Sequence, residues 1–263
     1  MLSNDIMQHL KNILLGITFL WFGVQTAQGQ FYSKTIANLP NFDAAKYNFG
    51  FYLGANQMMF IVQPKGEFQY PRYYEKQISD IAADSASAYR IVGKPSPGFS
   101  VGLVGLVRMG KFFELRFVPG LEFGERSIDY TILTYIGGKE QFITTNKSVV
   151  STYINAPFHL RYKAVRIHNM RPYVYAGPAF KWDLSSQRKK HDNPNDLRLK
   201  MNRGDVAVDV GVGFDFYTNW FKFGIQMEMS YGLNDILVKQ DNIYAQSIEN
   251  IHSKIFQIIF TFE

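Results

Sequence analysis

In the stretch VAVDVGVGFDF, residues 206–216, every even position is Val or Phe and every odd one is Ala, Asp or Gly. A strand turns successive side chains to opposite faces. One face here is therefore bulky and apolar throughout. The other is small or acidic. The same period-two pattern returns in eight segments of about ten residues: 47–56, 99–107, 112–124, 153–163, 172–183, 206–216, 221–231 and 254–263. In each, Phe, Leu, Val, Ile or Met on one face opposes Gly, Ser, Asn or a charge over part or all of the segment. The 23 Phe and 16 Tyr of the 263-residue chain agree with strands.

The connections alternate in length. Short turns near 109–111, 165–170 and 218–219 join segments two to three, four to five and six to seven. Polar stretches 61–97, 125–148, 185–204 and 233–252 join the others, and these read as long loops. In a meander all the short turns then fall at one end, and an even strand count brings both termini there. Ten-residue alternating strands with short turns at one end and long loops at the other are the pattern of an outer-membrane barrel. The expected fold is all-β: an eight-stranded antiparallel transmembrane β-barrel, an up-and-down meander. Its bulky face meets lipid, and closure pairs every backbone group, as a bilayer requires. Eight strands leave an interior just wide enough to be filled by side chains. Glycines make room there for Tyr, Arg and Lys.

The first 29 residues read as a secretory signal. Lys11 supplies positive charge, residues 13–24 are apolar, and Ala27-Gln28-Gly29 offers a small-x-small cleavage site. The barrel domain is expected over 30–263. The net charge of +6 favours an acidic partner. Export makes that partner a membrane surface and excludes nucleic acid. With no Cys, disulfides and thiolate metal sites are excluded. The pair Gly211 and Gly213 is followed by more strand, not by the helix that a dinucleotide site needs.

Aromatic belts are visible as well. Trp220, Phe221, Tyr162, Phe112 and Phe113 lie near short turns, and Trp182 and Tyr231 near long-loop ends. Pro119, Pro157 and Pro178 fall inside proposed strands, so bulges or shorter strands are expected there. The chain ends Phe262-Glu263, one residue past the terminal aromatic usual in such barrels.

No catalytic constellation is evident. His159 shares an inward face with Asn155 and Arg161, without a well-placed serine, and reads as a hydrogen-bonded interior histidine. No cofactor and no metal are expected. Glu114, Arg116, Glu122, Arg161, Lys163, Asp209, Asp215, Lys222 and Glu228 are expected inside the barrel as a mixed-sign salt-bridge network. Such a network plugs the lumen. The basic cluster Arg188, Lys189, Lys190, Arg198, Lys200 and Arg203 is expected at the outer rim, where it would meet lipopolysaccharide phosphates or an acidic partner protein. The first long loop carries Tyr70, Tyr73 and Tyr74.

The ordered motifs YNFGFYLGANQ, INAPFHLRYKAVRIHNMRPYVYAG, DVGVGFDFY, FKFGIQMEMSYGLNDILV and IFQIIFTFE resemble the PorT/SprT proteins of Bacteroidota. The stretch Gly232-Leu233-Asn234-Asp235 followed by Leu237-Val238 favours that family over other small barrels of the phylum. The resemblance implies a part in type IX secretion, which exports cargo across the outer membrane and supports gliding in some species. It implies no catalytic residue. The expected partners are outer-membrane lipid, lipopolysaccharide and other secretion proteins. The competing expectations are a generic barrel acting as adhesin or envelope stabiliser and, with less support, a lipid-modifying enzyme.

Overall fold

Residues 38–74, 77–185 and 199–263 are described by a computed structural model. Among them, ten strands form one antiparallel sheet: β1 (Tyr47–Pro64), β2 (Ser85–Lys94), β3 (Ser96–Arg108), β4 (Phe113–Phe117), β5 (Gly120–Ile136), β6 (Lys139–Lys163), β7 (Met170–Asp183), β8 (Gly204–Tyr217), β9 (Lys222–Gly232) and β10 (Ile248–Phe262). Pairing runs from β1 through β10, β9, β8, β7 and β6 to β4 and β5, then to β3, which pairs with β1. The sheet thus closes on itself. Among the described residues no helix is long and apolar enough to cross a membrane.

Ten strands appear where eight segments were read, and proline accounts for both breaks. β4 and β5 keep one register against both neighbours, on either side of Val118-Pro119. Pro119 has no N–H to give, so the ladder lapses for two residues. β2 and β3 follow one another along β5 and are parted at Pro95, where the register slips by one. Pro157 and Pro178 stay within strands, with pairing to a neighbour retained at Ala179 and Val208 respectively.

Three of the four expected long loops are largely ordered structure, and the fourth contributes a buried segment. The stretch 125–148 is not a loop. β5 and β6 pair all the way to Ile136↔Lys139, around Gly137 and Gly138 with φ of +54° and +78°. Two successive left-handed residues are what the tight hairpin turn demands, and glycine adopts them without strain. The stretch 61–97 contains the end of β1 and all of β2. The stretch 233–252 contains a one-turn helix, α1 (Ile243–Gln246), capped by the Asn242 side chain, and the start of β10. These parts pack together inside the outer end of the sheet. Ile78, Ile128, Tyr130, Ile132, Leu199, Met201, Ile236, Leu237, Tyr244 and Ile251 belong to one buried apolar cluster. The loop 185–204, expected to be a solvated basic rim, therefore turns Leu199 and Met201 inward, and Met201 bridges to Leu237.

The alternation of the opening stretch is preserved in space. Val208, Val210, Val212 and Phe214 are exposed, and Asp209 and Asp215 are buried. Ten residue steps along β8, at about 3.4 Å each and tilted about 40°, give an apolar band about 26 Å tall. The outward aromatics Tyr162, Phe113 and Phe221 lie near its short-turn edge, and Trp182 lies near the other. A Cβ on Gly211 would come within 2.3 Å of the Tyr175 ring, and one on Gly213 within 2.5 Å of Tyr173. These two glycines are empty so that two tyrosines can lie across the interior.

Candidate functional site

The interior is the most heavily built part of the molecule, and the strands assemble it by register. Glu114 and Arg116 on β4 stand opposite Arg161 and His159 on β6. Asp209 and Asp215 come from β8, and Lys222 and Glu228 from β9. All nine charges read from sequence as interior lie there, each buried.

They form two tiers. Toward the short turns, Glu114 accepts from Lys163 and lies 3.5 Å from Arg161 Nη1. Arg161 also donates to Asp215 and lies over the Tyr173 ring, 3.3 Å from its centroid. Lys222 is 3.6 Å from Asp215 and 2.7 Å from Glu263, and Arg116 donates to the same Glu263 at 2.7 Å. The odd final residue is thereby explained. Phe262 keeps the outward position and stacks on Phe51 at 5.0 Å. Glu263 falls on the inward beat and completes the ion network.

In the second tier Glu122 accepts from Lys181 at 2.9 Å and from Asn155 at 2.7 Å. Gln257 donates to Glu228 at 2.8 Å, and Tyr175 donates to the same carboxylate at 2.9 Å. His159 Nε2 is 3.0 Å from Asp209 Oδ2. Above this tier Arg126 closes the charged region. It donates to Ser151 at 2.6 Å, approaches Asp183 at 3.6 Å and lies over the Phe60 ring at 4.3 Å. Removing a charge from water is costly, and the loss is recovered only where partners and hydrogen bonds are good. Here most interior charges have several.

The short-turn mouth is closed as well. Residues 38–46 fold across it. Arg108 Nη1 donates to the carbonyls of Phe42 at 3.1 Å and Ala45 at 2.6 Å. Asp43 meets Arg108 at 3.4 Å and Arg171 at 3.1 Å, and accepts from Tyr217 at 3.3 Å. Asn38 bonds Asn169 at 2.9 Å and the Tyr217 carbonyl at 3.0 Å.

Sequence reasoning missed several members. Asp43 precedes the first strand. Arg126 lay in a stretch read as loop. Lys181 and Asp183 stood on the inward face of their segment but were not counted. Asp205 precedes segment six by one residue. Extending each alternation by a few residues in both directions recovers Arg126 and Asp205.

The rim residues divide differently. Arg188, Lys189, Lys190 and Arg198, like the signal segment, lie outside the described residues. The Lys200 carbonyl accepts from Val238 N–H at 3.0 Å, and the Arg203 carbonyl from Asp183 N–H at 2.7 Å. These two residues are thus tied to the outer end of the sheet by their backbone. Beside α1 a cleft of about 630 Å³ opens, lined among others by Lys65, Glu67, Phe68, Tyr70 and Gln246. Below it, burial and the Asp80 carboxylate hold the Tyr244 hydroxyl protonated well beyond the ordinary phenol range. Lys147 bonds that Asp80 at 2.7 Å.

The structure of the outer membrane protein OprG from Pseudomonas aeruginosa is similar at 11% identity, covering 81% of this chain and 94% of that one, with a TM-score of 0.37. No curated protein matches the chain. The family model described as outer membrane protein beta-barrel domain matches residues 27–238, most of the sequence. The chain belongs to this family of outer-membrane β-barrels, and the outer membrane is its location.

Proposed function

We propose that the protein is a non-catalytic, eight-membered barrel serving as an accessory or assembly component of type IX protein secretion, and of gliding where present. It acts through protein contacts and not as the conduit. The count of eight follows if β2 with β3, and β4 with β5, are each taken as one stave interrupted at proline. The observation that carries the functional reading is the filled interior. Two charged tiers, an apolar cluster at the outer end and residues 38–46 across the other mouth leave no path for a polypeptide. Work must then be done at the rim or on the lipid face. The secretion role itself rests on the PorT/SprT-like motifs.

Deletion of the gene should abolish export of secretion-system cargo, and the wild-type chain should restore it. Exchanging Arg188, Lys189 and Lys190 for Ser touches no described strand. The variant should assemble normally and lose secretion if the partner binds at the outer rim. Normal cargo export in the deletion strain would sink the reading. It would favour the second one, a generic barrel acting as adhesin or envelope stabiliser. That alternative is supported by the ordered outer end and its 630 Å³ cleft.

A further inference from the structure

We propose that the second tier of the interior holds one divalent transition-metal cation, ligated by His159 Nε2, Asp209 and Glu228. The three side chains come from β6, β8 and β9 and converge across the barrel. Their ligand atoms all lie within 4.8 Å of one another. His159 Nε2 is 3.0 Å from Asp209 Oδ2 and 3.9 Å from Glu228 Oε2. Ligands about 2.0–2.2 Å from a tetrahedral metal stand about 3.3–3.6 Å apart, so the two separations bracket what a metal would impose. One imidazole nitrogen with two carboxylates is a donor set for zinc, manganese or iron(II).

A further observation points the same way, and it is charge. In this tier and the Arg126 layer above it, Glu122, Asp183, Asp205, Asp209 and Glu228 are met by Lys181 and Arg126. Lys181 already serves Glu122. The tier toward the short turns has no such excess, because Lys163, Arg161, Lys222 and Arg116 serve Glu114, Asp215 and Glu263. A dication at His159 removes two of the surplus negative charges where water cannot screen them. The Tyr175 and Gln257 bonds to Glu228 then act as the outer supports that orient a ligating carboxylate.

The test uses untagged, refolded full-length protein. It is stripped with chelator, loaded with Zn²⁺ or Co²⁺, and freed of loose metal by gel filtration. Elemental analysis should find one equivalent of zinc, and the cobalt form should show visible d–d absorption. The Asp209→Asn plus Glu228→Gln protein should lose both signals, and His252→Gln should keep them. Should the double variant not fold, the wild type decides alone. Retained metal then raises its unfolding temperature over the stripped form, and chelator reverses the rise. Folded wild-type protein that retains no zinc and unfolds at the same temperature with and without it overturns the proposal. The surplus would then be met by protons.

Discussion

Strand β5 passes through two interiors, and they are opposites. In its first part Glu122 and Arg126 point inward, and Leu121 and Phe123 point outward. In its second part Ile128, Tyr130 and Ile132 point inward, and Asp129 and Thr131 outward. The polarity of the alternation inverts between Phe123 and Asp129. A sheet in lipid must put its apolar residues outside, so polar ones are left for the lumen. A sheet in water does the reverse. The inversion thus marks where the barrel leaves the membrane. It also shows why the outer end needs an apolar plug from the loops, whereas the membrane-level interior needs salt bridges.

The largest effect that tests this contrast is loss of one ion-network member. Arg161→Met leaves Asp215 with Lys222 at 3.6 Å as its remaining cation and weakens the hold on Glu114. Breaking a buried pair costs about 3–5 kcal/mol. The variant should fail to give the compact, heat-shifted band on a denaturing gel. An unchanged band would mean that the charged tier is not what holds the interior.

In the outer interior the corresponding change is Ile132→Ala. Truncating a fully buried Ile costs about 2–5 kcal/mol. The damage should stay local: limited proteolysis should cut the 61–97 and 233–252 regions faster while the membrane-level barrel keeps its heat shift. Simultaneous loss of both would show that the two interiors fold as one.

Outward positions sharpen the boundary. Val210→Arg places a charge in the apolar band and should cost about 2–4 kcal/mol and block assembly into vesicles. Thr131→Arg, outward but beyond the inversion, should cost under about 0.5 kcal/mol. Equal behaviour of the two would put the membrane edge elsewhere.

The smallest effect is a pH dependence outside the membrane. Asp129 meets Lys94 at 2.5 Å and Asn146 at 2.6 Å, and the Lys94 hydrogen bond draws its carboxyl below the usual range. A depressed carboxyl stabilises the fold above its unfolded pKa of about 3.9, and that contribution fades as pH falls through the folded value. The pair is solvent-exposed, so about 0.2–1 kcal/mol is at stake after screening. Asp129→Asn should remove this part of the acid dependence, read as the difference in denaturation midpoint between pH 6 and pH 2.5. A variant as acid-sensitive as the wild type would remove Asp129 from the account.

Much of the fold was legible in the sequence because period two is a local signal. Eight alternating segments, the short turns of one end and the inward set from Glu114 to Glu228 could be read from single segments, each with its own register. What lay beyond each segment could not be read in this way. Residues 125–148 carry Ser, Thr, Asp and Asn on the outward face, so they looked like loop. Only pairing of β5 with β6 over the full length of β5 shows that outward polarity there is the water-facing side of a strand. Asp43 precedes every segment and entered the network only when distant elements met. Likewise, nothing local says that Leu199 and Tyr244 share one core, or that His159, Asp209 and Glu228 face one point. Alternation along the chain specifies which face a residue takes. Which residues then meet depends on strand order, register and closure, and those are properties of the whole sheet.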